Sequence, residues 1–304
     1  MHLDYINLEL TAHCGYQCVG CPNTYMRRLK GHMDADGAIR LIKEAATLAK
    51  TIYLWNYGEP LLHPALAKIL RGAGSEAASC VISTTAGTCP PSLDFTSLRG
   101  LREVIVSING LDPETYQLHQ KGASFARVLD NLQALREALK GSAVNYVLQF
   151  VVHNLNTHQI DMVPAFASEH GFERAVLKTF SVMDEKPETY ARFVPKQREL
   201  SRYDGSSCES AFGRRPENPP CLKSLAVNWD GSIVPCCWDY EGDVQLGNVF
   251  PDGLRALWQS PRFQAHLKSI ERREFYSFCH RCTLPRHLRS FPVPMDEATT
   301  GALT

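Results

Sequence analysis

Short apolar segments rich in β-branched residues recur through the first 180 residues, and amphipathic segments separate them. The apolar segments predict strands at Tyr5–Leu10, Thr51–Tyr57, Cys80–Thr84, Glu103–Ile108, Asn145–Val152 and Arg174–Phe180. Apolar residues at helical spacing predict helices at Ala38–Ala49, Pro64–Arg71, Phe125–Leu139 and Gln159–His170. Strands that alternate with helices predict an α/β fold with a parallel sheet, either an open doubly wound layer or a partial barrel.

This alternation stops after Phe180. The next forty residues are rich in Pro, Arg, Glu and Ser and predict a linker with one short helix. A hairpin is predicted beyond it, with the turn Trp229-Asp230-Gly231 joining two short apolar segments, Leu225–Val227 and Ile233–Pro235. Two short helices follow, at Gly253–Trp258 and Arg262–Ile270. The predicted division is a barrel over 1–180, a linker over 181–220, a small unit over 221–286 and a loose tail over 287–304.

Composition excludes several classes of function. The 304 residues include 32 basic and 32 acidic side chains, so the formal net charge is zero. A neutral chain lacks the electrostatic footprint of a nucleic-acid-binding protein. No apolar run approaches the ~20 residues needed to span a bilayer, and the first residues do not resemble a signal peptide. We therefore expect a cytoplasmic protein without nucleic-acid or membrane partners.

Eleven cysteines are the unusual feature of the composition. Reduced cytoplasmic thiols in such number favour metal or redox chemistry over disulfides. Cys14, Cys18 and Cys21 form a C-x3-C-x2-C cluster near the start, and none lies between Cys89 and Cys208. Six crowd the last hundred residues: Cys208, Cys221, Cys236, Cys237, Cys279 and Cys282. This distribution predicts two metal sites far apart in sequence, with Cys80 and Cys89 as structural residues.

The first cluster can hold an iron–sulfur cluster and leave one iron without a protein ligand, because thiolates are the usual ligands of such clusters. A structural zinc ion would need a fourth ligand close by. The three cysteines follow the first predicted strand, at the carboxyl side of the sheet, where α/β folds bind ligands.

The segment Cys14-Gly15-Tyr16-Gln17-Cys18-Val19-Gly20-Cys21 resembles the signature loop of radical S-adenosylmethionine (SAM) enzymes. The resemblance covers about residues 5–180. It implies a partial (β/α)6 barrel whose three cysteines hold a SAM-binding [4Fe-4S] cluster.

Later landmarks follow in the order of that family. Gly58-Glu59-Pro60 resembles the motif whose backbone and Glu hold the amino group of SAM, and Ser83-Thr84-Thr85 resembles the ribose-contacting segment. Ser107 stands where a Ser commonly meets the SAM carboxylate. The resemblance thus implies a set of SAM contacts: Tyr16, Gly58, Glu59, Ser83, Thr85 and Ser107.

Three positions depart from the pattern. Gly20 replaces the usual aromatic residue before the third cysteine, so adenine packing is expected from Tyr16 or Tyr25. Ala86 replaces an Asn in the third-strand motif, and Lys121 stands where many relatives have Arg.

The late cysteines form a second pattern, Cys221-x9-Gly231-x4-Cys236 followed by Cys279-x2-Cys282. Four thiolates in two pairs can close a coordination sphere around a structural zinc ion or an iron–sulfur cluster. The pattern resembles the SPASM and twitch extensions of radical SAM enzymes. No cysteine follows Cys282, which implies a single auxiliary [4Fe-4S] cluster of the twitch type.

Cys237 and Cys208 are each interpreted as a buried apolar residue or as a thiol that faces the active site. Strand alternation turns Cys237 away from the ligand Cys236, which makes it the first candidate for a hydrogen-atom donor.

The resemblance implies that the enzyme cleaves SAM to a 5′-deoxyadenosyl radical, which removes a hydrogen atom from a substrate. We expect a small polar precursor of sugar or aminocyclitol type and dehydrogenation as the outcome. Epimerisation with a Cys donor and peptide modification are the alternatives, and a zinc-ribbon interaction protein is the non-enzymatic one. The partners expected are the small-molecule substrate and a one-electron reductant such as flavodoxin or ferredoxin.

Overall fold

A computed structural model describes residues 3–122, 124–203, 219–282 and 287–293. Its centre is one sheet of ten strands in the order β10-β6-β5-β4-β3-β2-β1-β7-β8-β9. The strands are β1 Tyr5–Leu8, β2 Ile52–Tyr53, β3 Cys80–Thr84, β4 Glu103–Ser107, β5 Asn145–Val152, β6 Arg174–Thr179, β7 Ser224–Val227, β8 Ser232–Val234, β9 Gly247–Asn248 and β10 His287–Pro292.

Strands β1 to β6 are parallel neighbours in sequence order. Consecutive parallel strands need crossover connections, and helices supply them. The helices are α1 Ala35–Ala46, α2 Leu66–Ala73, α3 Pro113–His119, α4 Phe125–Leu139, α5 Val163–Glu169, α6 Pro187–Phe193, α7 Val249–Asp252, α8 Leu254–Gln259 and α9 Pro261–Glu271. The parallel α/β architecture predicted from the sequence is confirmed.

The six barrel strands have two different faces. On β5, the alternate residues Tyr146, Leu148 and Phe150 belong to the main apolar core. The residues between them do not, because successive side chains of a strand point to opposite sides. The same alternation holds on β3, β4 and β6. We call the space on this second face the lumen; the residues facing it include Ser83, Ile105, Ser107, Gln149 and Lys178.

The C-terminal unit continues the barrel sheet. Strands β7 and β8 form the predicted antiparallel hairpin, and β7 pairs in parallel with β1. Gly231 has a φ of +83° in the turn, a conformation that favours glycine. The first strand of the barrel therefore lies between β2 and the hairpin.

The tail and the linker differ in part from expectation. Residues 287–292 form β10, which pairs antiparallel with β6, so the loose tail predicted from residue 287 is wrong for these residues. The predicted short helix in the linker is α6. Cys208 lies outside the described residues.

A buried ion pair within the barrel lies where the barrel meets the C-terminal unit. Arg28 Nη2 lies 2.6 Å from Glu9 Oε1, with 11% of the Arg28 side chain and none of the Glu9 side chain exposed. Arg28 Nε also donates to the Tyr240 carbonyl at 2.6 Å. Glu241 accepts from the backbone N–H groups of Arg27 and Arg28. These contacts fasten the segment after the first cysteine cluster to the C-terminal unit.

Candidate functional site

Cys14, Cys18 and Cys21 come together in the loop that follows β1. Burial raises the pKa of Cys18 well above its usual value, and the neighbouring thiols Cys21 and Cys14 raise it further. Burial also raises the pKa of Cys14 to about 12, with Glu59 as the next cause. The cation Lys30 acts in the opposite direction on Cys14 and Cys21. Buried thiols that oppose one another's ionisation fit a positively charged iron–sulfur centre, whose metal ligands are thiolates.

Backbone hydrogen bonds hold this loop against the segment after α3. Gln17 N donates to the Lys121 carbonyl, and Val19 N donates to the His119 carbonyl, each at 3.0 Å. Gly20 has a φ of +77°, which a larger residue rarely adopts. Gly20 stands where relatives usually have an aromatic residue, and here it provides the positive φ that the loop requires.

Asn23 ties the loop to the end of β2. Its side-chain amide donates to the carbonyls of Ala12 and Tyr57, both at 2.8 Å. Lys30 Nζ donates to the Asn23 carbonyl and to Asn23 Oδ1. Because Asn23 is buried, these bonds satisfy polar groups that water does not reach.

Glu59 lies beside the cysteine loop with its carboxylate inside the protein. Oε2 accepts from Thr85 N and Thr85 Oγ1, both at 2.8 Å, and Oε1 accepts from Leu61 N. Burial nevertheless raises the pKa of Glu59, because it penalises the charged form more than these bonds favour it. A Cβ on Gly58 would lie 1.9 Å from the Thr11 carbonyl oxygen, so only glycine fits this approach. Gly58, Glu59 and Thr85 therefore form one group at the carboxyl ends of the strands.

The two serines predicted to contact SAM, Ser83 and Ser107, lie on β3 and β4 and face the lumen. Ser107 ends β4, and its hydroxyl accepts from Gln149 Nε2 at 2.8 Å. The Ser107 carbonyl accepts from Gln120 Nε2 at 2.9 Å. Ser83 is half-buried on β3. Their contacts with SAM stay predictions.

Tyr16 lies in the main core and is 4% exposed. Its hydroxyl lies 3.2 Å from that of Tyr116. A Cβ on Gly87 would lie 1.4 Å from the Tyr16 hydroxyl oxygen, which explains a glycine at that position. Tyr25, the other predicted adenine contact, packs edge-on against Tyr240. Both adenine contacts stay predictions.

The second group of thiols lies close to the hairpin of β7 and β8 and consists of Cys221, Cys236, Cys279 and Cys282. Burial raises the pKa of Cys221 to about 11, and Cys279 and Cys282 add to the shift. Burial raises the pKa of Cys236 well above its usual value, and the neighbouring thiols Cys237, Cys221 and Cys279 raise it further. Residues more than fifty positions apart in sequence thus meet in one place, and the donor set fits an iron–sulfur cluster.

The structure changes the interpretation of Cys237. Strand β8 ends at Val234, and Cys236 and Cys237 lie in the bend and turn that follow. Strand alternation therefore does not set their directions, and that part of the sequence argument is wrong. The nearby charges of Cys282 and Lys178 act on the Cys237 thiol. Its carbonyl accepts a hydrogen bond from the Tyr57 hydroxyl.

Tyr57 lies between the two groups of thiols. Burial raises its pKa well above the usual value, and Cys237, Cys21 and Cys236 contribute further. Cys21 belongs to the first group and Cys236 to the second. A single side chain, in the loop that follows β2, therefore borders both sites.

A single small ion needs its ligands grouped closely around it. A zinc ion with Zn–S bonds of about 2.3 Å holds its ligands within about 4 Å of one another. Across the part of the chain that the structure describes, no three His, Cys, Asp or Glu side chains are grouped for a single metal ion.

Comparison with known protein families decides the assignment. The model of the radical SAM superfamily matches residues 8–162, just over half of the chain. The chain belongs to the radical SAM superfamily. The SPASM iron–sulfur cluster-binding domain matches residues 221–283. A radical SAM protein with this domain binds SAM and two [4Fe-4S] clusters, which confirms the predicted cofactors, and the non-enzymatic zinc-ribbon alternative is wrong.

Two curated relatives show how varied similar radical SAM proteins are. An AdoMet-dependent heme synthase from Methanosarcina barkeri is 32% identical over 134 residues, 43% of this chain and 38% of that one. The match thus spans well under half of the relative's length. A tungsten-containing aldehyde ferredoxin oxidoreductase cofactor-modifying protein from Pyrococcus furiosus is 22% identical over 93% of this chain and 88% of that one.

Solved structures share the radical SAM fold at low identity. SuiB from Streptococcus suis, bound to SAM, gives a TM-score of 0.65 at 15% identity over 92% of this chain and 72% of SuiB. BtrN in complex with AdoMet and 2-DOIA gives 0.51 at 16% identity, with 92% of each chain covered. The likeness supports the fold. Within the described residues, no helix of this radical SAM protein is long and apolar enough to cross a membrane.

Sequence reasoning missed several residues that shape the radical SAM site. Asn109 is buried and joins β4 to the loop after β5, because its carbonyl accepts from Asn156 Nδ2 and its Oδ1 accepts from Val151 N. Gln120 donates to Ser107 and accepts from Asn109 N. The only signal for them was their position just after a strand end or helix end, which many surface residues share.

Proposed function

We propose that this radical SAM enzyme dehydrogenates a hydroxyl-bearing carbon of a small polar precursor, of sugar or aminocyclitol type. The family membership supports hydrogen-atom abstraction, and the arrangement of the second group of thiols supports oxidation as its outcome. The substrate class and the ligand roles below are parts of the same proposal.

Cys14, Cys18 and Cys21 hold the SAM-binding cluster, and three ligands leave one iron open for SAM. When bound, this cluster and SAM supply a 5′-deoxyadenosyl radical that removes a hydrogen atom from a C–H bond. Glu59 and the backbone at Gly58 take the SAM amino group, with Thr85 holding the Glu59 carboxylate in place. Because Glu59 is buried, its interaction with an ammonium group is not screened by water.

The auxiliary site carries the argument for oxidation. Cys221, Cys236, Cys279 and Cys282 supply four thiolates, which complete the coordination of one auxiliary cluster. A cluster held by these four residues would supply an acceptor for one electron. After the hydrogen atom leaves, loss of one electron and of the hydroxyl proton converts the substrate radical into a carbonyl compound. The hydrogen atom would thus go to the 5′-deoxyadenosyl radical, the electron to the auxiliary cluster and the proton to solvent.

The lumen supports a hydroxyl-rich substrate. Gln149 faces it beside Ser107, and its side-chain amide is a neutral polar group that can hydrogen-bond to sugar hydroxyls. Enclosure by the barrel keeps a radical away from water and side reactions.

Epimerisation is the second candidate, and the position of Cys237 favours it. This thiol lies near Lys178 and next to the second group of thiols, and the carbonyl of the same residue accepts from the Tyr57 hydroxyl. A thiol there can return a hydrogen atom to the opposite face of the substrate radical and invert the stereocentre. Peptide modification is the third candidate, supported by the likeness to SuiB, which has also been solved with its precursor peptide SuiA.

The first test is iron content and SAM cleavage after oxygen-free purification. We expect a brown protein with about eight iron atoms, two clusters of four, that forms 5′-deoxyadenosine when reduced. Absence of SAM cleavage would contradict the proposed activity.

The outcome is tested in heavy water with a panel of sugars and aminocyclitols, beginning with 2-DOIA, the ligand of the BtrN structure. Oxidation gives a carbonyl product without deuterium at the reacting carbon. Epimerisation gives an isomer of the substrate that carries one deuterium from the exchangeable thiol. A deuterated, inverted product that disappears in the Cys237→Ala variant would overturn dehydrogenation.

A further inference from the structure

The charged residues of the barrel strands are few and unevenly placed. Across β1 to β6 they are Glu103, Arg174 and Lys178. Glu103 begins β4 and Arg174 begins β6, and their side chains form an ion pair at 2.8 Å. This pair lies at the amino ends of the strands, opposite the SAM site. Lys178 is the remaining charge, near the carboxyl end of β6.

Lys178 faces the lumen. The main core takes Ala175 and Leu177 from β6, whereas Val176 and Lys178 stand outside it. The register pairs Lys178 with Val151 at the carboxyl end of β5. The Cys237 thiol lies within range of the Lys178 charge, so this amine borders the same space between barrel and C-terminal unit.

The Lys178 amine has no anionic partner in the described parts of the chain. No carboxylate forms an ion pair with it there, and no acceptor forms a hydrogen bond with its Nζ. The side chain is only partly exposed. Burial, together with the cation Arg202, lowers its pKa to about 8. An unpaired buried ammonium is costly unless a ligand compensates it.

We propose that Lys178 binds an acidic group of the substrate, a carboxylate or a phosphate. The proposal rests on the function proposed above and narrows its substrate class to sugars that carry an anion. An amine-bearing precursor would place a second cation beside Lys178 and Arg202, which Coulomb repulsion disfavours. Binding an anion at β6 holds the rest of the sugar across the lumen, toward Ser107 and Gln149.

The test uses four probes on one sugar ring: glucuronate, glucose 6-phosphate, glucose and glucosamine. Their binding is measured by saturation-transfer NMR on the SAM-saturated holoenzyme with oxidised clusters. We expect stronger signals from the two acidic sugars than from glucose, and the weakest signal from glucosamine. Comparison of glucuronate with glucose 6-phosphate tells a carboxylate site from a phosphate site.

Two variants test whether Lys178 causes the difference in binding between acidic and neutral sugars. In Lys178→Met the signals of the acidic sugars should fall at least fivefold, to the level of glucose, and Lys178→Arg should restore most of the difference. The control is Lys50→Met, since Lys50 is a surface residue with 72% of its side chain exposed. Equal binding of acidic and neutral sugars, or unchanged binding in Lys178→Met, overturns the proposal.

SAM affinity is measured alongside the probes. Lys178→Met should keep the SAM dissociation constant within twofold, and a rise beyond tenfold would assign the amine to the SAM carboxylate and overturn the proposal. SAM cleavage by the unmodified enzyme tests the proposed function separately, so failure of one proposal can be told from failure of the other.

Discussion

The two groups of thiols are built in opposite ways. The first takes all three cysteines from eight consecutive residues in one loop, and surrounding elements only hold that loop in place. The second takes its cysteines from three segments spread over Cys221 to Cys282, so it exists only after the hairpin and the last helices have packed. A local site can therefore be recognised from spacing, whereas a distributed site requires the fold.

The largest expected effect comes from removing the local site. Replacing Cys14, Cys18 and Cys21 by Ala should abolish 5′-deoxyadenosine formation, because SAM then has no iron to bind. About half of the iron should remain, since the second group assembles on separate ligands. Chromatography of the nucleoside products and iron analysis measure both effects.

The matched control for that triple variant is Cys80→Ala, a buried thiol of the main core outside both groups. It should keep both clusters and SAM cleavage. Retained SAM cleavage in the triple variant would show that Cys14, Cys18 and Cys21 do not hold the SAM-binding cluster.

Removing the distributed site should separate SAM cleavage from turnover. In the double variant Cys279→Ala and Cys282→Ala, the other half of the iron should be lost while reductive SAM cleavage remains detectable. Dehydrogenation should stop, because the substrate radical has lost its electron acceptor. Product analysis with the substrate that the heavy-water panel identifies checks this, and undiminished dehydrogenation would contradict the role of the second cluster.

Loss of the buried ion pair beside the C-terminal unit gives the next effect. Arg28→Met leaves the buried Glu9 carboxylate without its partner, and breaking a buried pair in this way costs about 3–5 kcal/mol. Thermal unfolding of the holoenzyme should show a clearly lower Tm. Arg27→Met is the control, because the Arg27 side chain is 85% exposed. Adding Glu9→Gln to Arg28→Met should recover part of the lost Tm. Absence of recovery would mean that the unpaired Glu9 carboxylate does not cause the destabilisation.

The smallest effect is expected from Tyr57→Phe. This variant removes only the hydroxyl that donates to the Cys237 carbonyl. A net hydrogen bond contributes about 1 kcal/mol, which in a chain of 304 residues corresponds to a Tm change of about 1–2 °C. Calorimetry of the holoenzyme measures it. A change as large as that of Arg28→Met would show that Tyr57 holds the two regions together more than its one bond indicates.

The parts of the fold that the sequence predicted depend on local patterns. Strands Cys80–Thr84 and Asn145–Val152 and helix Phe125–Leu139 were predicted with their observed bounds, because their apolar periods are long and regular. Strand β2 was predicted too long, since its apolar pattern continues after Tyr53 into the loop that carries Glu59.

The parts that the sequence did not predict depend on distant contacts. Helix α3 is the exception, because it has only seven residues but its start is set locally by Asp112, whose side chain accepts from Thr115 N. Strand β10 contains Arg289 and Pro292 and forms only because β6 offers a free edge. The contact of Arg28 with Tyr240 and the neighbourhood of Lys178 and Cys237 arise from packing between segments far apart in sequence, which no spacing rule records.

The pairing of β1 with β7 also constrains how the chain folds. Tyr5 pairs with Ser224, so the partner strand leaves the ribosome roughly 220 residues after the first one. Until then one edge of β1 has no hydrogen-bonding partner, and such edges promote aggregation. Contacts between residues so far apart in sequence form late, and they slow folding. Shortened forms that end before the hairpin should therefore be poorly recovered when expressed, even though they contain every residue of the cysteine loop after β1.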